Sequence, residues 1–375
     1  MGRKAILTVV LALILTGRCL GAPEVPAPSW ILMDRTTGTV LGEQEADRQL
    51  APASVTKIMT LLLVMEALDR GQLQWDQMVT TSAAAAAKGG SQIYLEENEE
   101  MSLRDMVKCV VVSSANDCAA ALAEAVAGSE EAFVERMNRR AEELGMTHTH
   151  FANCTGLDDA AGADVHYTTA RDIAVMSREL LRHDPIRAFT TIWMDTVRDG
   201  TFGLSNTNKL VRFYPGTTGL KTGYTQGAGY CMAASAEREN MELIAVVMHC
   251  QSSTDRFESA KALLEYGFAN YQLVDPVGEE VFPPVPVELG VRETVQPVPQ
   301  GAEPVLLEQG AELSREVRLA DRVSGPVAQG QTLGELILRQ GDQVLARVPL
   351  VAEQSVDRLT WGALMGRMAR ALWMG

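Results

Sequence analysis

Ala51-Pro52-Ala53-Ser54-Val55-Thr56-Lys57 runs straight into Ile58-Met59-Thr60-Leu61-Leu62-Leu63-Val64-Met65-Glu66-Ala67-Leu68-Asp69. Ile58, Leu61, Leu62, Met65 and Leu68 recur at helical spacing. They predict a helix from about Ser54 to Asp69, with one buried stripe and a stop at Gly71. Three residues apart, Ser54 and Lys57 fall on the same face, so the amine reaches the hydroxyl without any long-range coincidence of folding. Serine attacks poorly unless a base takes its proton. Lysine becomes such a base when desolvation or a second cation favours its neutral form. The start of the helix adds backbone amides and a positive dipole end, which suit an oxyanion growing next to Ser54.

Two further strings gain weight from this one. Ser114-Ala115-Asn116-Asp117 interrupts the apolar run Val110-Val111-Val112 and brings a hydroxyl and an amide toward the same cleft. In isolation it would read as a helix cap or a turn. Next to Ser54 and Lys57, Ser114 reads as a proton relay and Asn116 as a group that orients substrate or lysine. Lys221-Thr222-Gly223 supplies charge, a hydroxyl and space along one wall, where a peptide can lie against a strand edge. Lys221 is the candidate second cation, and Arg256 is a further one for a substrate carboxylate.

Going outward, Arg3 and Lys4 precede the apolar run Ala5–Leu15 and small residues near Gly21, the pattern of an export signal over residues 1–22. A formal charge of −15 argues against nucleic acid as a partner. Cys109, Cys118, Cys154, Cys231 and Cys250 have no metal-ligand spacing, so neither metal nor cofactor is expected. Free thiols are the expectation for all five. Cys231 and Cys250 can also face one another across a hairpin, and spacing alone does not decide whether they bridge.

The remaining pattern is mixed. Opening strands over Trp30–Val40 and helical stretches over Ser102–Ala127 and Thr168–Leu181 precede strands Leu220–Tyr224, Tyr230–Glu237 and Leu243–Cys250, then a helix Arg256–Tyr271. This predicts an α/β (α+β) domain over 23–273, an antiparallel sheet whose first and last strands meet beneath a helical cluster. Asn153–His166 reads as a loop. Proline-punctuated, Val-rich runs predict a small β-rich domain over 274–352. Trp361, Leu364, Met365, Met368 and Leu372 share one face of an amphipathic helix expected over 353–375, opposite Arg367 and Arg370. That face is expected to lie on a membrane surface, the helix's terminal position favouring this over packing on the protein's own core.

The chain resembles the low-molecular-mass penicillin-binding proteins, the serine-type D-Ala-D-Ala carboxypeptidases of peptidase family S11. The resemblance rests on Ala51–Lys57, Ser113–Asp117, Asn206–Leu210, Gly219–Thr225 and Ala228-Gly229-Tyr230, with Ser54–Lys57, Ser114–Asn116 and Lys221–Gly223 forming that group's three-part signature. It implies a β-lactamase/transpeptidase-like fold and acylation of Ser54 by a peptidoglycan stem peptide ending in D-Ala-D-Ala, with Lys57 as base. Ser114, Asn116, Lys221, Thr222 and Gly223 would line the cleft, Arg256 would face the carboxylate, and the backbone amides of Ser54 and Tyr224 would form the oxyanion hole. It also implies covalent inhibition by β-lactams, while the export signal and terminal helix would place the protein at the outer face of the cytoplasmic membrane or in the cell-wall space. Asn98 stands where the resemblance implies glycine, and Cys154 where it implies no thiol. A class A-like β-lactamase would need a deacylating carboxylate, and residues 151–171 contain only Asp158, Asp159 and Asp164. A non-catalytic wall-binding protein would not need both Ser54 and Lys57.

Overall fold

The alternating strands after Thr217 and the opening strands are joined in one antiparallel sheet, as the computed structural model shows for the chain; it describes residues 23–158, 165–363, 365 and 366. In chain order the strands are β1 (Ser29–Asp34), β2 (Val40–Gln44), β3 (Thr217–Thr225), β4 (Gly229–Arg238) and β5 (Met241–Cys250). Their spatial order is β2-β1-β5-β4-β3. The first and last strands do meet, with Ile31 opposite Val246. β4 and β5 turn through Glu239 and Asn240, both with positive φ, the backbone that a tight hairpin demands.

Period-two alternation divides the side chains between the sheet's two faces. Ile31, Met33, Ala233, Ile244 and Val246 pack on the helical cluster. Trp30, Leu32, Ala234, Leu243, Ala245 and Val247 face the last helix, α6 (Ser253–Asn270), through Ala260, Leu263 and Leu264. The covering helices are α1 (Lys57–Asp69), α2 (Leu103–Val112), α3 (Asn116–Ala127), α4 (Glu130–Glu143) and α5 (Ala170–Leu180). Ser102, Ser129, Thr169 and Ser252 each cap the adjoining helix by accepting a backbone N–H.

α1 differs from the single buried stripe its spacing predicts. Leu61 to Met65 are all buried, because this nearly all-apolar helix runs through the middle of the cluster. It stops where expected: Gly71 has φ +68, and the N–H groups of Gly71 and Gln72 bond back to the carbonyls of Leu68 and Ala67. The predicted helical stretch Ser102–Ala127 is two helices, broken at Ser113-Ser114-Ala115.

Past α6, the chain builds small sheets around clusters of their own, one of them Val285, Val287, Val295, Val327, Leu333, Ala352 and Val356. The terminal helix begins later than its expected start at 353. Residues 353–360 are not helical; Val356 is buried and bridges to Val327, and Arg358 bridges to Gly290. Helical structure starts at Trp361, whose side chain is exposed. Among the described residues no helix is long and apolar enough to cross a membrane. The expected export signal, Asp159, Asp164, Leu364, Arg367, Met368, Arg370 and Leu372 lie outside the described residues.

Candidate active site

Ser54 sits in a tight turn, Ala53–Thr56, that feeds α1. Ala53, immediately before it, has φ +50. An alanine held left-handed costs roughly 1 kcal/mol and persists only where the surroundings impose it. Two glycines let neighbouring backbone close in on it here. A Cβ on Gly223 of β3 would lie 2.7 Å from the Pro52 carbonyl and 3.1 Å from the Ser54 nitrogen, and one on Gly156 would strike the Ala53 carbonyl. Strand and loop thus grip the serine turn with bare backbone.

Lys57 Nζ donates to Ser54 Oγ at 3.0 Å and to the Thr155 carbonyl at 2.8 Å. The side chain is fully buried, and that burial pulls its pKa down to about 7. Half of the amines are then neutral near neutral pH, each holding a lone pair within reach of the serine proton. Lys221 is buried too, its Nζ donating to its neighbour's carbonyl, Thr222 O, at 2.9 Å. Desolvation first, then the charges of Lys57 and Arg256, push its pKa well down. Two buried amines near each other resist being charged together.

Gly223 and Lys221 meet the serine turn directly, and the Ser114 string is joined to it through β3. Ser114 is buried at φ +62 in the crossing from α2 to α3. Thr222 Oγ1 donates to Thr207 Oγ1 at 2.7 Å, and Thr207 N–H to the Val112 carbonyl, so β3 is tied to the end of α2 two residues before Ser114. Asn116 donates Nδ2 to the Gly89 carbonyl at 2.7 Å, while its buried Oδ1 has no partner among the described residues. Asp117 accepts from the Ile93 and Leu95 amides and fixes the adjoining loop. β3 is the edge of the sheet, which leaves its outer side open to an added strand. The exposed ring of Tyr224 leans on Tyr230 at 4.3 Å between centroids.

Arg256 is mostly covered. It donates to the Gly223 carbonyl at 3.1 Å and lies over the rings of Tyr230 and Phe257, so its charge acts from behind β3. Cys231 and Cys250 pack in different clusters on opposite faces of the sheet and are free, like Cys109, Cys118 and Cys154. Cys154 is buried with its thiol against Glu130. Asp158 is exposed. Asn98 has φ +67, the left-handed backbone that asparagine accepts in glycine's place.

Sequence reading singled out neither Thr155 nor His166, and took in Thr207 only as part of the string Asn206–Leu210. The first acts through its backbone carbonyl, which no side-chain pattern announces. The other two matter through contacts made only in the folded chain.

The sequence model of the D-alanyl-D-alanine carboxypeptidase family matches residues 18–252. D-alanyl-D-alanine carboxypeptidase DacF of Bacillus subtilis is 40% identical over 340 residues, which is 88% of this chain and 86% of the relative. The chain belongs to the D-alanyl-D-alanine carboxypeptidase family. DacC of Escherichia coli, another carboxypeptidase of that name, is 33% identical over 361 residues, covering 92% of this chain and 88% of its own. Penicillin binding protein 6B from Escherichia coli shares the fold at a TM-score of 0.72, with 31% identity over 88% of this chain and 96% of that one. Penicillin-Binding Protein D2 from Listeria monocytogenes, solved in an ampicillin-bound form, aligns at a TM-score of 0.60 and 31% identity, over 66% of this chain and all of that one. The mixed fold and its antiparallel sheet are therefore those of the penicillin-binding carboxypeptidase family.

Proposed function

We propose that this chain is a serine-type D-alanyl-D-alanine carboxypeptidase that removes the terminal D-alanine from peptidoglycan stem pentapeptides. The observation that carries the reading is the contact at 3.0 Å between Ser54 Oγ and a lysine amine whose pKa burial lowers to about 7. Lys57 takes the serine proton as Oγ attacks the carbonyl of the penultimate D-alanine. The new ester bond forms as the C–N bond breaks, and D-alanine leaves with a proton relayed through Ser114. Water then attacks the ester carbonyl, giving a proton to Lys57, and Lys57 returns it to Ser54 Oγ as the ester C–O bond breaks and the shortened peptide leaves as the acid.

In this reading the amides of Ser54 and Tyr224 stabilise the oxyanion, which is worth roughly 2.7–4 kcal/mol per donor. The close approach of Gly223 to the Ser54 nitrogen supports it. Asn116 Oδ1 accepts a substrate N–H, the open edge of β3 receives the peptide backbone, and Lys221, Thr222 and Arg256 attract the terminal carboxylate. β-Lactams acylate the same serine. The signal pattern of residues 1–22 supports export, the amphipathic pattern from Trp361 onward supports attachment to the outer face of the cytoplasmic membrane, and the separate clusters beyond residue 274 support a spacer domain between catalytic domain and membrane. Asp158 is exposed and residues 151–171 hold no glutamate, so the β-lactamase alternative is not favoured.

The test is release of free D-alanine from a diacyl-Lys-D-Ala-D-Ala peptide. Steady release by the wild type and none by Ser54→Ala is expected; equal traces from both would reject the reading. Fast cephalosporin turnover without acyl-enzyme accumulation would favour a β-lactamase instead.

A further inference from the structure

Three contacts fasten the segment 151–156 to the serine turn and to the first turn of α1 behind it. Lys57 Nζ donates to the Thr155 carbonyl at 2.8 Å, and Thr60 Oγ1 to the Cys154 carbonyl at 2.7 Å. The third runs through His166, a buried ring that the reaction above does not use. Its Nδ1 accepts the Ala152 N–H at 3.2 Å, which leaves the ring proton on Nε2, and Nε2–H donates to Thr56 Oγ1 at 2.9 Å. Thr56 is fully buried between the nucleophile and its base. Phe151 meets the ring edge-on, at 5.9 Å between centroids.

Both ring nitrogens are spoken for only while the ring is neutral. A proton on Nδ1 would point at the Ala152 N–H, donor against donor. Burial holds the ring neutral, pulling its pKa down to about 4; of the charged groups around it, His150 adds to that shift and Asp158 opposes it.

We propose that neutral His166 is a positioning residue for acylation: it clamps residues 151–156 onto the nucleophile turn through Thr56, holding the Thr155 carbonyl against Lys57 in a site closed to water. The inference rests on the reading of Ser54 as the acylated serine and Lys57 as its base. Without the clamp, water reaches Lys57 and the desolvation that lowers its pKa weakens. The rise of the acylation rate with pH, which tracks Lys57 losing its proton, then moves to higher pH.

The test is the rate of acylation by a fluorescent penicillin from pH 5 to pH 10 in the wild type, His166→Phe, His166→Gln and Thr56→Val. Phenylalanine keeps the volume without either hydrogen bond, and glutamine restores a donor toward Thr56. His166→Phe is expected to acylate about tenfold more slowly at pH 7, with its rising limb about one pH unit more alkaline and penicillin's non-covalent affinity within about twofold of wild type. Thr56→Val should shift the limb in the same direction, and His166→Gln should recover it. A folded His166→Phe with an unmoved limb, whatever its rate, would overturn the clamp. If His166→Phe does not fold, Thr56→Val decides, and a wild-type profile from it overturns the proposal. A wild type without adduct at Ser54 would strike the reading beneath it; an adduct there with unmoved limbs in the variants would strike the clamp alone.

Discussion

Lys57 carries two opposite demands in one side chain. Its pKa of about 7 leaves it half neutral at pH 7, whereas an ordinary lysine would be neutral in roughly one molecule in a few thousand. The same burial works against folding. Between pH 7 and 10.5 the unfolded chain binds the proton that the folded chain has released, so this residue's contribution to stability improves as pH rises through that window. Lys57→Met is therefore expected to abolish acylation and to make the protein roughly 1–3 kcal/mol more stable at pH 7, a gain that shrinks toward pH 10. Calorimetry at the two pH values checks this, and a variant less stable than wild type at pH 7 would contradict it. His166 has the same sign at lower pH. Its folded pKa of about 4 lies below the free value of 6.5, so its contribution is complete above pH 6.5 and fades as pH falls toward 4.

At the scale of elements, β3 and the serine turn work as one unit. Gly223→Val would place a branched side chain on the Pro52 carbonyl and the Ser54 nitrogen and push the edge strand away from the nucleophile. Penicillin acylation is expected to fall at least about a hundredfold, the size of losing an oxyanion donor, with the far-UV circular dichroism spectrum unchanged. A variant that acylates at the wild-type rate would break the link between this close approach and the chemistry. The elements that reasoning from residue order could find were those with strong periodicity, α1 and the β3–β5 meander, together with the spacing of Ser54 and Lys57, which is local in the chain. What it could not find was set by the tertiary fold. Positive φ at Ala53 and Ser114 carries no residue signature, because neither is a residue type that prefers it. The all-round burial of α1 depends on neighbours that arrive from distant segments. Cys231 and Cys250 are adjacent in the hairpin but pack on opposite faces of the sheet, with a register shift between Tyr230 and Met232.

For the whole molecule, chemistry and tethering are expected to separate at Trp361. Val356 is buried and bridged within the second set of sheets, so a cut before it removes core, while a cut after Thr360 leaves that core whole. Deleting residues 361–375 is expected to leave turnover of a soluble peptide within about twofold and to abolish sedimentation with anionic lipid vesicles. Deleting residues 355–375 should also lower the melting temperature. Vesicle binding that survives the shorter deletion would contradict the anchor. Export, a spacer and a surface helix together would hold the cleft where stem peptides are, and none of them matters unless the serine is chemically competent. The most direct measurement is peptide mapping by mass spectrometry after exposure to a penicillin. One drug equivalent is expected, carried by the peptide containing Ser54 and forming faster as pH rises through about 7; an adduct on another residue, or none in folded protein, would contradict a lysine-activated Ser54.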